Sequence, residues 1–221
     1  MSMSRGMQLG CLSWVLLASS AATQAGVFGG VKSEAGIWQS GLDGNLPGWS
    51  VGADLGYQHQ DWFGGLGVAW GQYALPNQSN GVTRDDLDIM LGYQIGSGLS
   101  VFGGYKHIGI DHPASGNYAA FTEQIQTFGL GAQYSMPISG PWAGVFRGSA
   151  NIPSTVFKSG STSVNGNGAG FSADGGVAYW MDKATSLNAG LKMQNMQLKY
   201  TTDGTWTTTT WKAVLALNRH F

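Results

Sequence analysis

Apolar and polar residues alternate along most of this chain, with the period of two that is typical of β-strands. Trp49, Val51, Ala53 and Leu55, for example, share one face of a strand that closes at Tyr57. Counting such stretches between turn signals predicts about ten strands, or eight if two of the stretches are loop ribbons. Their ranges are 33–40, 49–58, 62–74, 84–94, 99–110, 120–134, 142–157, 168–180, 185–200 and 206–221. The pattern therefore predicts an all-β protein.

Aromatic residues close every second predicted strand. Tyr57, Tyr93, Tyr134 and Tyr179 each precede a short polar turn, and Phe221 ends the last strand and the chain. Aromatic residues that end lipid-facing strands at a common level form the girdle of a transmembrane β-barrel. We therefore predict a transmembrane, antiparallel, up-and-down barrel with these five residues as one aromatic girdle.

The predicted connections alternate between short and long. The short ones are 59–61, 96–98, 139–141 and 182–184. The longer ones are 41–48, 76–83, 111–116 and 158–167. The Thr-rich stretch 201–210 is predicted to be an extended hairpin on the same side as the longer loops. This sorting is typical of outer-membrane barrels, in which short turns face the periplasm and longer loops face the outside.

Charge is scarce and is sorted onto one face of the predicted strands. Charged residues make up 10% of the chain, against about 25% in an ordinary soluble domain. A mean hydropathy of −0.06 nevertheless excludes a bundle of apolar transmembrane helices. The charged residues on the inward phase are Asp54, Asp86, Asp88, Lys106, Arg147, Asp174, Lys192 and Lys212. Because acids and bases are balanced, we predict a charge network that fills a closed or narrow lumen.

The predicted strand 185–200 changes phase. Leu187 and Leu191 share one face, whereas Met196, Leu198 and Tyr200 lie on the other parity. Two explanations are open. A β-bulge near Asn195 would shift the phase, or the strand leaves the bilayer there and its parity no longer matters.

The N-terminus has the features of a secretory signal peptide. Arg5 is the only charge before a short apolar run, and small residues follow it. We predict a signal peptide at 1–25, with cleavage near Ala25 or, alternatively, Ala22. The domain that remains, 26–221, is the predicted outer-membrane barrel.

Two global properties narrow the function classes. The only cysteine, Cys11, lies in the predicted signal peptide, so no disulfide or thiol chemistry is expected in the exported chain. The formal net charge of −1 offers no electrostatic reason to bind nucleic acid.

The last predicted strand carries a family resemblance. Ala213, Leu215, Leu217 and the terminal Phe221 share one phase, which resembles the C-terminal signal of bacterial outer-membrane barrels. Arg219 departs from that pattern, although its side chain can extend to lipid headgroups. The resemblance implies the outer membrane of a Gram-negative cell. It also implies two partners, the outer-membrane lipid and the barrel-assembly machinery, the latter recognising Phe221.

Paired carboxylates are the weak candidates for catalysis. Asp86 and Asp88 point to one face of a strand, and Asp111 and His112 lie at the end of the next strand. This group partly resembles outer-membrane aspartyl-type proteases. The alternative is that the acids pair with basic residues in the lumen. Since His107 and His112 lie on opposite parities, we predict no metal site, and no cofactor is expected.

The sequence leaves three functions open. The first is a structural or surface-interaction role, with loops rich in Ser, Thr, Asn and Gly that contact an extracellular ligand or protein. The second is a narrow, porin-like pore for small solutes, since inward glycines leave space in the lumen. These glycines are Gly52, Gly56, Gly65, Gly67, Gly92, Gly129 and Gly131. The third is an outer-leaflet hydrolase that uses the carboxylates and histidine named above.

Overall fold

A computed structural model describes residues 8–12, 15–19, 26–41, 43–76, 78–114, 119–201 and 204–221. All regular structure in these residues is β. The strands are β1 (Gln8–Leu12), β2 (Val15–Ser19), β3 (Gly26–Ser40), β4 (Gly44–His59), β5 (Trp62–Tyr73), β6 (Val82–Gln94), β7 (Leu99–His112), β8 (Phe121–Ser139), β9 (Trp142–Ser159), β10 (Thr162–Trp180), β11 (Thr185–Tyr200) and β12 (Gly204–His220). In the described part of the chain, no helix is long and apolar enough to cross a membrane.

Strands β3 to β12 close into one antiparallel barrel in which sequence neighbours pair. The barrel is sealed by β12 pairing with β3, with Trp211 opposite Ile37 and Asn218 opposite Gly30. This confirms the predicted up-and-down barrel and the count of ten strands instead of eight. Strands β1 and β2 form a separate two-stranded sheet.

Strands β1 and β2 lie within the predicted signal peptide. The two predicted cleavage positions, Ala22 and Ala25, are outside the described residues. The signal peptide therefore stays a prediction.

The barrel has two unlike ends. The short connections after β4, β6, β8 and β10 lie at one end, which we call the turn end. At the opposite end, the hairpin end, two of the predicted long connections, 41–48 and 158–167, were wrong. Strand β4 already begins at Gly44 and β10 at Thr162, because these segments pair with their neighbours as extended hairpins. The extended hairpin predicted at 201–210 is confirmed, since β12 begins at Gly204 and pairs with β11 from that residue onward.

Of the two explanations for the change of phase in 185–200, the β-bulge near Asn195 was wrong. Strand β11 pairs with β10 and with β12 without a register shift at that position. The described strands show one irregularity, at Pro137 and Ser139 of β8. Met196, Leu198 and Tyr200 are simply buried inside the barrel, so parity holds to the end of the strand.

The outer surface carries a broad apolar band. Its most exposed members are Leu130 at 75%, Ile152 at 72% and Leu191 at 64%. Near the turn end, Tyr57, Tyr93, Tyr134 and Tyr179 all lie on this outer face. Tryptophans interleave with two of them: ring centroids are 5.0 Å apart for Trp62 and Tyr93, and 4.9 Å apart for Trp142 and Tyr179. Aromatic residues thus border the band at one level.

Candidate functional site

The turn end of the lumen is filled by phenylalanine rings that lie on glycines. Strands β3, β5 and β7 each contribute one ring, and each ring covers a glycine of the next strand. The pairs are Phe28 on Gly56, Phe63 on Gly92 and Phe102 on Gly131. A Cβ atom at any of these glycines would overlap the ring. The space that the glycines leave is therefore occupied by aromatic side chains.

A layer of ion pairs lies above these rings. All eight residues of the predicted network point into the lumen, and the structure adds Lys32, Glu34 and Arg84 to them. The closest pairs include Lys32–Asp54 at 2.8 Å, Arg84–Asp86 at 2.8 Å, Lys106–Asp88 at 3.1 Å, Lys192–Glu34 at 2.8 Å and Lys212–Glu34 at 2.7 Å, and Arg147 bonds to Asp174.

Asp86 is the centre of one part of this layer. Its carboxylate contacts Arg84, lies 3.2 Å from the Lys106 Nζ atom and lies 3.9 Å from the Lys212 Nζ atom. Asp88 does point to the same side of β6, as expected from the period of two, and it also binds Lys106. Both carboxylates of the predicted catalytic pair are therefore engaged with basic side chains in the middle of the lumen.

Glu34 is the centre of the other part. It accepts one hydrogen bond from Lys192 and one from Lys212, and a third from the Ser50 hydroxyl at 2.9 Å. Lys192 and Lys212 lie directly opposite each other on β11 and β12. Like charges in such a cross-strand pair are destabilising, and the shared Glu34 offsets part of their repulsion.

The ion pairs surround a cavity of about 150 Å³. Its wall includes Lys106, Arg147 and Lys192 together with the hydroxyl side chains of Thr127 and Ser172. Water or a small solute fits this space, which needs only a few polar partners to hold a water molecule.

An apolar cluster closes the lumen above the cavity, at the hairpin end. All but one of its buried members come from inward positions of the strands. They are Trp38, Leu46, Tyr73, Leu75, Val82, Ile108, Ile110, Ile125, Val164, Met196, Leu198 and Tyr200. Phe157 and Trp206 pack against this cluster. We call this set the upper cluster.

Two polar contacts lie at the mouth of the barrel. The His112 Nε2 atom is 2.9 Å from an Asp43 carboxylate oxygen, and its Nδ1 atom is 2.6 Å from the Pro113 carbonyl oxygen. The His112 ring stacks on Phe121 with centroids 4.4 Å apart. Because Asp43 follows β3 and His112 ends β7, this contact ties the first hairpin to the far side of the mouth.

The second contact is centred on Glu123. Its carboxylate accepts hydrogen bonds from the Tyr200 hydroxyl and, at 2.8 Å, from the Thr155 hydroxyl. The neighbouring outward residues Gln124 and Gln126 are polar, so this level lies beyond the apolar band. Burial raises the pKa of the Glu123 carboxyl, and the two hydrogen bonds oppose that rise only in part.

The predicted catalytic group is not brought together. Asp86 and Asp88 lie below the upper cluster, His112 lies at the mouth, and Asp111 is exposed on the outer face of β7. The histidine has a carboxylate partner that the sequence analysis did not name, Asp43. Among the described residues, no group of three or more His, Cys, Asp or Glu side chains could hold a metal ion.

Three network residues were not predicted from the sequence. Lys32 and Glu34 lie on the inward phase of β3, but the predicted strand began at 33 and its phase was not assigned. Arg84 is the first residue of the predicted strand 84–94 and shares the inward phase of Asp86. Starting the first strand earlier and giving it a phase finds Lys32 and Glu34, and the phase of Asp86 by itself finds Arg84.

Comparison with known proteins gives structural neighbours only. No protein-family model matches the chain, and no curated protein matches its sequence. The outer membrane protease OmpT from Escherichia coli aligns over 89% of this chain and 96% of its own, with a TM-score of 0.53 and 8% identity. Neisserial surface protein A aligns over 87% of this chain and 97% of its own, with a TM-score of 0.46 and 13% identity.

The fold is that of a small bacterial outer-membrane β-barrel. At this level of identity the likeness to OmpT concerns the fold alone. In such barrels the short turns face the periplasm.

Proposed function

We propose that this outer-membrane barrel is a non-enzymatic structural or surface-interaction protein with a closed lumen. One observation carries the proposal. The lumen is obstructed at three successive levels, by the phenylalanine rings at the turn end, by the ion pairs in the middle and by the upper cluster at the hairpin end. A barrel of ten strands is narrow enough for side chains to fill.

The hairpin end supplies the surface for interaction. Strands β8, β9 and β10 have 19, 18 and 19 residues, against 12 in β5. At about 3.3 Å per residue, the extra residues add roughly 20 Å of strand. This length is divided between the two ends of the barrel, since β8 also continues past Tyr134, its last partner in β7, to Ser139 at the turn end. At the hairpin end, the outward side chains of these strands are polar and mostly uncharged, which suits contact with an extracellular ligand or protein.

Planar-bilayer recordings test the closed lumen. The refolded protein is expected to produce no channel steps, since all three layers obstruct the path. Its insertion is checked independently by its heat-modifiable migration on a gel and by co-sedimentation with vesicles. Reproducible conductance steps from protein that passes both checks would contradict the proposal.

Shortening one hairpin tests the surface role. Lys158 pairs with Ser163, and Ser159 pairs with Thr162. Deleting these four residues removes two rungs and keeps the turn at Gly160, whose φ is +57°. For a surface-interaction protein, we expect cells with the short hairpin to lose adhesion to matrix proteins while the barrel stays folded. For a structural protein, adhesion is unchanged, and only loss of the whole barrel sensitises the cells to detergent.

A pore for small solutes is the second candidate. The observation that favours it is the cavity of about 150 Å³, lined by side chains of both charges, on the axis of the lumen. The bilayer recordings decide between this candidate and the first, because a pore must conduct.

An outer-leaflet hydrolase is the third candidate. The contact between His112 and Asp43 at the mouth favours it, as does the fold that the chain shares with OmpT, an outer membrane protease. The test is peptide cleavage by intact cells. If His112→Ala abolishes cleavage in a protein that still folds, the result supports this candidate over the first. Absence of cleavage in both proteins is the expected result.

A further inference from the structure

The ion-pair layer does not balance in charge. Among the described residues it contains the acids Glu34, Asp54, Asp86, Asp88 and Asp174, and the bases Lys32, Arg84, Lys106, Arg147, Lys192 and Lys212. Six basic side chains therefore face five acidic ones. In a lumen enclosed by lipid, an uncompensated positive charge is costly.

The excess positive charge can be assigned to one group of side chains. Lys32 and Asp54 form a neutral pair. Arg84 and Lys106 share Asp86 and Asp88, which makes a second neutral group. Neither of these groups needs a further ion.

The remaining group carries the extra charge. Lys192 and Lys212 share the carboxylate of Glu34, and Arg147 is matched by Asp174. Lys212 also lies 3.9 Å from Asp86, but that carboxylate is already matched within the second group. Asp174 lies directly opposite Lys192 on β10 and β11, so these five side chains are neighbours. Three bases face two acids here, and the surplus lies around Lys192.

The cavity of about 150 Å³ adjoins this group. The Lys192 side chain is 18% exposed and that of Arg147 is 19% exposed, although both point into the lumen, and both line the cavity. The cavity wall also carries the Thr127 hydroxyl, which is buried at 2% exposure and has no hydrogen-bond partner. An ammonium group and an unpartnered hydroxyl are donors for an anion.

We propose that this cavity binds one small inorganic anion of the size of chloride, held next to Lys192. The ion makes the layer electrically neutral, and the cavity exceeds the roughly 30 Å³ that one water molecule takes up in the liquid. Carboxylates on the opposite wall limit the site to a single negative charge. This site is independent of whether the barrel is a structural protein or a pore.

Thermal unfolding of the refolded barrel tests the site. Sodium chloride is replaced by sodium gluconate at constant ionic strength, because gluconate is a far bulkier anion than chloride. A ligand that binds only the folded state raises its stability with the logarithm of ligand concentration above the dissociation constant. We expect the midpoint of unfolding to rise with chloride and to stay flat in gluconate.

Two lysines on one strand provide the variant and its control. Lys192→Met removes the surplus charge and is expected to abolish the dependence on chloride. Lys199→Met changes an exposed lysine on the outer face of β11 and should keep the dependence of the wild-type protein. Equal chloride dependence in both variants would overturn the assignment to Lys192.

A second measurement tests the site if Lys192→Met does not fold. Crystals of the wild-type protein grown in bromide are expected to show an anomalous peak in the cavity, within hydrogen-bonding distance of the Lys192 Nζ atom. If unfolding of the wild-type protein does not depend on chloride and the cavity shows no bromide peak, the proposal is wrong and water fills the space.

Discussion

Two levels of the same lumen are built from opposite chemistry. In the middle of the barrel, inward side chains are charged and outward ones are apolar, as in Lys192 and its neighbour Leu191. Toward the hairpin end of the same strand, Leu198 points inward and is buried, whereas Lys199 points outward and is exposed. The parity of the strand is unchanged between the two levels.

The solvent outside the wall explains the difference. Where lipid surrounds the barrel, apolar side chains belong outside and polar groups must be satisfied inside. Where water surrounds it, the barrel has to form an apolar core like that of a soluble protein. The level at which the pattern inverts therefore marks the edge of the bilayer, and the upper cluster is a soluble-type core standing above it.

Removing the charge of Asp86, the central carboxylate of the ion-pair layer, is expected to cause the largest loss of stability. Asp86→Asn keeps the shape of the side chain but leaves Arg84, Lys106 and Lys212 without their shared carboxylate. Loss of one partner from a buried ion pair costs about 3–5 kcal/mol, and urea unfolding in vesicles measures it. Asp88→Asn is the matched control and should cost less, because Asp88 is 31% exposed and contacts Lys106 alone. Equal losses in the two variants would contradict this account.

Truncating the upper cluster should have the next largest effect. Ile108 is fully buried, and Ile108→Ala is expected to cost about 2–5 kcal/mol because it opens a cavity in a packed core. Ile152→Ala is the control on the outer band, where Ile152 is 72% exposed and lipid can fill the space that it leaves. The same unfolding experiment compares the two. A larger loss at Ile152 would disprove the soluble-type core.

The third prediction compares one arginine substitution on each side of the proposed bilayer edge. Ile89 lies in the middle of the outward apolar run of β6, and Thr83 lies on the same face near the hairpin end. Ile89→Arg is expected to cost about 2–4 kcal/mol, against about 0–1 kcal/mol for Thr83→Arg. Recovery of folded protein from membranes measures both. Similar yields would show that the inversion does not mark the membrane.

The period of two was enough to predict the fold. Alternation and turn residues gave ten strands and an up-and-down barrel, since both depend on neighbours in sequence. Lys32 was missed because its strand was predicted to begin at 33, and Glu34 was missed because that short strand was given no phase. The upper cluster was missed for a deeper reason. Met196 and Leu198 were compared with the pattern of a lipid-facing strand. A strand that leaves the bilayer keeps its parity, but its apolar side chains then point inward and its polar side chains outward.

Contacts across the lumen could not be predicted in this way. His112 meets Asp43 over 69 positions of sequence. Glu34 of β3 binds Lys192 of β11 and Lys212 of β12 because the barrel closes between β12 and β3. Such contacts depend on barrel shear and side-chain direction, which alternation alone does not contain.

The smallest expected effect concerns Glu123, a carboxyl that is buried at the level of the upper cluster and accepts its hydrogen bonds from hydroxyl groups. Glu123 has a pKa raised by burial. A carboxyl with a raised pKa in the folded state stabilises the protein below its unfolded pKa, and this contribution is lost as the pH rises through the folded pKa. Glu123→Gln removes the charge and keeps an oxygen that accepts from Tyr200 and Thr155.

The variant is therefore expected to unfold at a higher temperature than the wild-type protein at neutral pH, and the difference should shrink as the solution is acidified. Asp111→Asn, on the exposed outer face of β7, is the control and should show no such trend. If Glu123→Gln were less stable than the wild-type protein at neutral pH, the ionised carboxylate would stabilise the folded state. The hairpin end would then accommodate a buried charge as the middle of the lumen does. The two levels would differ only in the number of charges that they bury.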